Sequence, residues 1–325
     1  MGKSNKRMSK RTRSWIALLL VLALLFAIDY FMGDPADVLQ AFGTLYTEAS
    51  QPASAGHPSV TPGPEASGTL DVYVLDVGQG DSIFLRGPSG KTMLVDAGTS
   101  DMADRIDDFL QAQHVTRLDV VIGTHPHADH IGGMKEIISK YEVGTYYMPD
   151  AETNTNVFEK LLDELDARDI PIEQAAGGSN SFIEWDDSTE VRIFSPLPNV
   201  IYPDLNNESV VCRVSYGDTS ILLTGDAESF AEEAFMKEIP RRLMHSTVLK
   251  LGHHGSSTST TTALLNVVDP ELAVASLGAD NEYGHPHQET LDKLKDAGIE
   301  LLRTDLNGVI HITFDGTAYT VETER

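Results

Sequence analysis

An α/β domain of two mixed sheets packed face to face with helices outside, preceded by a single N-terminal transmembrane helix, is the fold class this 325-residue sequence predicts. Three observations predict it. Basic residues precede an uninterrupted apolar run from Trp15 to Ile28, and a proline-rich stretch over 33–69 follows. From Leu70 onward, short β-branched and apolar runs alternate with helix-like stretches, the strands outnumbering the helices about two to one. Hairpins mixed with helical crossovers require each sheet to be covered on both faces, so the layers stack as helix, sheet, sheet, helix.

The N-terminus carries Lys3, Lys6, Arg7, Lys10, Arg11 and Arg13 ahead of the apolar run. Continued past Asp29 through Tyr30 and Phe31 to Met32, the stretch has 18 residues. At ~1.5 Å per residue it reaches ~27 Å, enough for a thin hydrocarbon core. The expected division is a basic cytoplasmic tail over 1–14, a signal anchor over 15–32, a linker over 33–69 and one large domain over 70–325. A cleaved signal peptide is the alternative, although the nearest Ala-x-Ala pattern, Ala53-Ser54-Ala55, lies far downstream. The first reading is a single-pass membrane protein with an extracellular domain; the second is a secreted one. Pro35, Pro52, Pro58, Pro62 and Pro64 among Ala, Ser, Gly and Thr give the linker too little apolar surface to offset its ordering entropy.

Within the domain, strands are expected at 70–77, 82–86, 91–96, 118–124, 143–148, 190–195, 209–216, 219–225, 246–251, 271–277, 299–303, 308–314 and 317–323. Helices are expected at 101–113, 131–141, 154–168, 227–238, 258–268 and 288–297. The 41% apolar content supports a sizeable core and excludes disordered and collagen-like classes. The single cysteine, Cys212, excludes an internal disulfide and reads as a small core residue. Beyond the basic N-terminus, 18 basic residues face 49 acidic ones, a charge of −31. Such a surface repels polyanions at long range, although a local site can still take a phosphodiester.

The densest chemical signal is Thr124-His125-Pro126-His127-Ala128-Asp129-His130-Ile131-Gly132-Gly133, directly after the apolar run Leu118 to Gly123. Three imidazoles and a carboxylate within six residues are the ligand types that borderline divalent metals prefer. Gly132 and Gly133 remove bulk where the chain turns into its helix. Asp226 closes the run Ser220 to Gly225 and suits either metal binding or a helix N-cap. His253 and His254 follow Thr247 to Leu251; one completes a metal position and the other donates a proton or holds a phosphoryl oxygen, the assignment remaining open. His285 and His287 lie on a Gly-containing loop, as substrate ligands or a general acid, with helix capping the alternative for His287.

The pattern His-x-His-x-Asp-His after an apolar strand resembles the signature of the metallo-β-lactamase fold, an αββα sandwich. More narrowly, five segments in order resemble the metallo-hydrolase domain of the competence protein ComEC family: Leu75–Ser82, Met93–Gly98, Leu222–Asp226, Leu249–Ser256 and Tyr283–His287. The similarity covers roughly 70–323 and omits the polytopic channel of that family. It implies one or two divalent ions, zinc or manganese, held by His125, His127, Asp129, His130, Asp226 and one of His253 or His254, with Asp226 bridging. It also implies metal-activated water as the nucleophile; the catalytic roles expected beside it are Asp129 orienting that water, His254, where it is the histidine not bound to metal, as proton donor or oxyanion holder, and His285 at the mouth. A phosphodiester substrate follows, either nucleic acid (a nuclease) or a cell-surface polymer, and no obligate protein partner is indicated. Many dinuclear members of the superfamily draw a third histidine from the interval between His130 and Asp226; here that interval has none, and Asn206-Asn207-Glu208-Ser209 stands there instead. Asp96 is expected to orient the histidine loop through hydrogen bonds. Asp81 and Gln79 either reach the site edge or only stabilise their turn. Competing readings are a non-catalytic, metal-stabilised surface-binding module and, further off, a lactam hydrolase.

Overall fold

The computed structural model describes residues 68–151 and 153–325. The expected tail, signal anchor and most of the linker lie outside the described residues, among which no helix is long and apolar enough to cross a membrane.

The first sheet begins as an antiparallel meander of β1 (Leu70–Val74), β2 (Ile83–Arg86) and β3 (Thr92–Val95). It continues in parallel through β4 (Arg117–Ile122), β5 (Glu142–Met148) and β6 (Ile172–Gln174). The last two strands, β14 (Ile310–Phe314) and β15 (Tyr319–Thr323), return to close its other side, giving the order β15-β14-β1-β2-β3-β4-β5-β6. The second sheet repeats this plan. β7 (Phe182–Ile183), β8 (Glu190–Ser195), β9 (Val211–Tyr216) and β10 (Thr219–Leu223) are antiparallel. β11 (Val248–Lys250), β12 (Leu272–Ala275) and β13 (Glu300–Arg303) then add in parallel.

Parallel neighbours need a crossover, and here each crossover is helical. α1 (Ala103–Ala112), the pair α2 (Ala128–Ile131) and α3 (Met134–Lys140), and α4 (Asn156–Ala167) cover the first sheet. α5 (Ser229–Glu238), α6 (Thr262–Val268) and α7 (Gln288–Ala297) cover the second. A short α8 (Thr304–Asn307) follows β13.

Because side chains alternate along a strand, each central strand feeds two cores. Met93 and Val95 of β3 point between the sheets, whereas Leu94 points toward the helices. Ile221 and Leu223 of β10 likewise face the other sheet and Leu222 faces α5. Both strands are buried along their whole length, as expected for strands covered on both faces. Each fully buried aliphatic side chain contributes about 1.5–3 kcal/mol, so this double use anchors the strand ends that carry the site. Cys212 is buried in the inter-sheet core.

Several elements depart from expectation. The helix expected over 131–141 is split at Gly132 and Gly133, because both pack on the backbone after β3. A Cβ there would lie 2.7 Å from Ser100 N and 2.5 Å from Ala97 O respectively. The helix expected from 258 begins at Thr262, since the preceding Ser/Thr run is taken up in turns and Thr261 caps α6 by accepting from Leu264 N at 3.1 Å. β1 stops at Val74 because the next residues turn back at Gly78 and Gly80. The short strands β6 and β7 were not expected from the sequence, nor was α8.

Candidate metal centre

The carboxyl ends of the parallel strands converge on one edge of the two sheets, where open α/β architectures bind ligands. β3 delivers Asp96 in the left-handed region, at φ 59. Its Oδ1 accepts from Thr124 N at 2.8 Å, and its Oδ2 accepts from Thr124 Oγ1 and from His130 Nδ1, both at 2.7 Å. β4 then runs into His125 and the extended His127, which opens α2; His130 and Ile131 both donate backbone N–H groups to His127 O. Asp226 follows β10 and is 2% exposed. It is not the N-cap of α5, a position held by Glu228. Its own N–H donates to Ser209 Oγ at 3.1 Å, so the Asn206–Ser209 segment buttresses the site.

Beyond β11 the chain enters a left-handed turn, with φ 48 at His253, 55 at His254 and 85 at Gly255. Non-glycine residues rarely adopt this region, and each costs about 1–3 kcal/mol, a strain that clusters at functional sites. The consequence is that adjacent imidazoles reach opposite oxygens of Asp226. His254 Nε2 lies 3.6 Å from Oδ1, beside His130 Nε2 at 3.3 Å. His253 Nε2 lies 3.7 Å from Oδ2, beside His125 Nε2 at 3.9 Å. Asp129 Oδ2 approaches His254 Nε2 at 3.4 Å and His130 Nε2 at 3.8 Å. His127 Nδ1 is 3.0 Å from His125 Nε2.

Three imidazoles are held from behind. His130 Nδ1 donates to Asp96, His254 Nδ1 to Ser276 O at 2.8 Å, and His253 Nδ1 to Glu228 Oε1 at 3.1 Å. A carboxylate or carbonyl only accepts, so each Nδ1 carries the proton and each Nε2 turns a lone pair inward. Yet His130 Nε2, His254 Nε2 and Asp226 Oδ1 are buried with no hydrogen-bond partner among the described residues. Buried orphans cost about 1–3 kcal/mol each, and three converging on one point fit a shared cation. Donors at ~2.0–2.1 Å from a tetrahedral ion sit about 3.3 Å from one another. Asp129, His130, Asp226 and His254 offer atoms mutually within 4.8 Å.

The electrostatics agree. Burial favours the neutral form of every group here, but mutual charge overrides it. Asp226 lies well below the usual carboxylate range because His130 and His254 overcome its burial. Asp129 falls to about 2 against its burial, through His254 and His130. His130 is pushed well above its ordinary value despite burial by Asp226 and Asp96, and His254 rises to about 9 despite burial through Asp226, Asp129 and Asp81. His125, buried beside His130, falls well below its ordinary value. Carboxylates and imidazoles thus compete for positive charge that a divalent ion would supply.

Asp81 is no simple turn residue. It is buried, its Oδ2 pairs with Lys250 Nζ at 2.8 Å, and its Oδ1 lies 3.4 Å from His254 Nδ1. Gly80 lets this turn touch Asp129, whose carbonyl would be 2.2 Å from a Cβ at Gly80. Gln79 Oε1 accepts from Gly278 N at 3.3 Å. His285 joins the outer rim, its ring centroid 5.4 Å from that of His253, with a buried Nδ1 lacking a partner among the described residues. His287 opens α7 by position only; its Nδ1 accepts from Ser257 N at 2.9 Å and its Nε2 donates to Tyr283 O at 3.1 Å. Sequence reasoning passed over Lys250 and Glu228. A lone lysine inside an apolar strand was the available signal for the first, and none existed for the second.

Such a sandwich, with imidazoles and carboxylates gathered where parallel strands end, defines a metal-dependent hydrolase. Residues 75–279 match the Metallo-beta-lactamase superfamily, and the chain belongs to it. It is 31% identical over 264 residues to ComE operon protein 3 of Bacillus subtilis, covering 75% of this chain and 33% of that one. It is 34% identical over 257 residues to Competence protein ComA of Neisseria gonorrhoeae, covering 79% of this chain and 34% of that one. The chain thus spans about a third of the length of the curated relatives it matches. The fold is shared with a mutant of CmlA beta-hydroxylase at 14% identity and a TM-score of 0.51, over 78% of this chain and 55% of that one.

Proposed function

We propose that the chain is a membrane-anchored, metal-dependent phosphodiesterase with its hydrolase domain outside the cell. The observation that carries the catalytic reading is the trio of buried, unpartnered atoms, His130 Nε2, His254 Nε2 and Asp226 Oδ1, turned toward one another. The donor set His125, His127, Asp129, His130, Asp226, His253 and His254 suits zinc or manganese, since imidazole and carboxylate serve both. Bound there, a divalent ion supplies Lewis acidity and lowers the pKa of water, to ~7 in favourable zinc sites.

The chain's own groups do the rest. Asp129, whose side chain is 33% exposed, is the donor carboxylate open enough to accept a proton from an attacking water and aim it. His254 is 1% exposed and lies between two carboxylates, which favours ion binding over substrate contact. His285 is lowered to about 4, first by burial and then by His253, His254 and His287, so it is neutral at pH 7. In that state it offers a hydrogen bond to a phosphoryl oxygen instead of a full positive charge. Resemblance to the ComEC metallo-hydrolase domain favours a nucleic-acid phosphodiester, while the charge of −31 favours a smaller or surface-borne one.

The test uses the full chain in detergent, stripped with chelator and refilled with zinc or manganese, on bis-p-nitrophenyl phosphate. Restored turnover that His127→Ala abolishes is expected. No turnover with either metal, or full activity in His127→Ala, overturns the reading.

A further inference from the structure

We infer that Glu232, a buried carboxylate of α5 that the chemistry above does not use, is the positioning residue for the imidazoles after β11. It acts through the 256–261 segment rather than by touching an ion. The inference rests on the metal-centre reading and adds to it the group that aims the second histidine loop.

Glu232 is 1% exposed. Its Oε1 accepts from Thr260 N at 2.5 Å and its Oε2 from Thr261 N at 2.9 Å, so one side chain holds two successive backbone amides. Both oxygens accept, so the carboxylate carries no proton. Thr260 is fully buried at φ 50, and its hydroxyl accepts from Gly252 N at 3.1 Å. Gly252 directly precedes His253. Hydrogen bonds therefore run from α5 through Thr260 to the residue at which the left-handed turn begins.

The turn needs such outside support. Residues 253, 254, 255 and 260 all have positive φ, and non-glycine residues stay in that region only when their surroundings over-determine them. Both flanking helices grip the segment. Ser229 N of α5 donates to Thr258 O at 2.9 Å, while from α7 Lys293 Nζ donates to Ser259 O at 2.8 Å and Thr290 Oγ1 to Ser256 O at 3.0 Å. Glu232 is the ionised acceptor among these ties, and such bonds are roughly twice as strong as neutral ones. Burial nonetheless raises its pKa above the ordinary carboxylate value, against the pull of its bonds to Thr261 and Thr260 and of Lys293. A buried carboxylate so opposed adds little to global stability, because a neutral replacement escapes the desolvation penalty. What it adds is direction.

The test separates aim from stability, using the full chain in detergent. In the metal-free chain, hydrogen exchange should find the Gly252 and Thr260 amides protected in wild type and unprotected in Glu232→Gln, with β3 and β4 unchanged. Glutamine keeps the volume but sets an N–H donor against one of the two backbone donors. Cobalt(II), whose visible spectrum reports the arrangement of its ligands, should bind Glu232→Gln about 10–100-fold more weakly and with an altered spectrum. Thr260→Val, which removes the hydroxyl between Glu232 and Gly252, should reproduce both changes, and the double variant should add nothing further. The control is Asp107→Asn, a buried carboxylate of α1 that accepts from Tyr141 Oη at 2.6 Å just before β5 starts. It should lower the melting temperature at least as much as Glu232→Gln and leave the cobalt spectrum intact. Unchanged protection of Gly252 in Glu232→Gln, a loss confined to α6, or an equal cobalt change in Asp107→Asn overturns the inference. Failure of wild type to bind cobalt would sink the metal reading instead, and the exchange data would still decide this one.

Discussion

The loops after β4 and β11 bring histidines to the same carboxylate by opposite means. The first uses ordinary backbone: His127 is extended, at φ −84 and ψ 150, and α2 then lifts His130 to the same side. The second uses three successive residues at positive φ, which turn His253 and His254 to the two sides of Asp226. Regular backbone spaces its side chains by a known period; a left-handed turn stores strain to place neighbours where no period would. The first loop is therefore rigid by packing, whereas the second must be held by what surrounds it.

The sharpest test of what unites the loops is Asp226→Asn, which removes the charge both depend on. Phosphodiester turnover should fall about 10³-fold, several kcal/mol of lost ion stabilisation, with metal content falling in parallel. Next comes the support of the second loop. Lys250→Met leaves Asp81 buried and unpaired beside His254, a loss of about 3–5 kcal/mol in denaturant unfolding. Lys250→Met combined with Asp81→Leu should recover much of that stability but not the metal affinity. Recovery of both would make the pair a mere packing device.

A smaller effect tests the strain directly. Gly255→Ala puts a Cβ 2.6 Å from Pro286 Cβ at φ 85 and should cost about 1–3 kcal/mol, whereas Ala128→Gly in the first loop should cost about 0.5–1. Equal costs would erase the contrast between the loops. The smallest effect concerns His285. Its folded pKa of about 4 lies below the ~6.5 of the unfolded chain. The unfolded state binds the extra proton between those values, so the stability His285 contributes is present above pH 6.5 and lost as pH falls through 4. His285→Gln should flatten the dependence of Tm on pH across that window, and a parallel shift at every pH would contradict it.

Legibility in the sequence followed the same division. The His-x-His-x-Asp-His run and Asp226 stand at the ends of long apolar strands, where strand period and ligand type read together. Asp96 was legible as a strand-end carboxylate and turns out to hold His130. The three-residue β6 and two-residue β7 were not, because Ile172 and Phe182 are half-exposed at sheet edges and carry no alternation. Nor was the break at Gly132 and Gly133, which arises from backbone after β3 rather than from the helix itself.

The sequence by itself determined the layering of the domain and the kinds of donor at its site, because hydrophobic period and residue chemistry are local properties. Tertiary structure alone decided that His253 and His254 divide between the two oxygens of Asp226, that Glu228 aims one of them, and that Lys250 neutralises Asp81. Those facts depend on distances between strand ends far apart in the chain, which only the packing of the two sheets face to face sets.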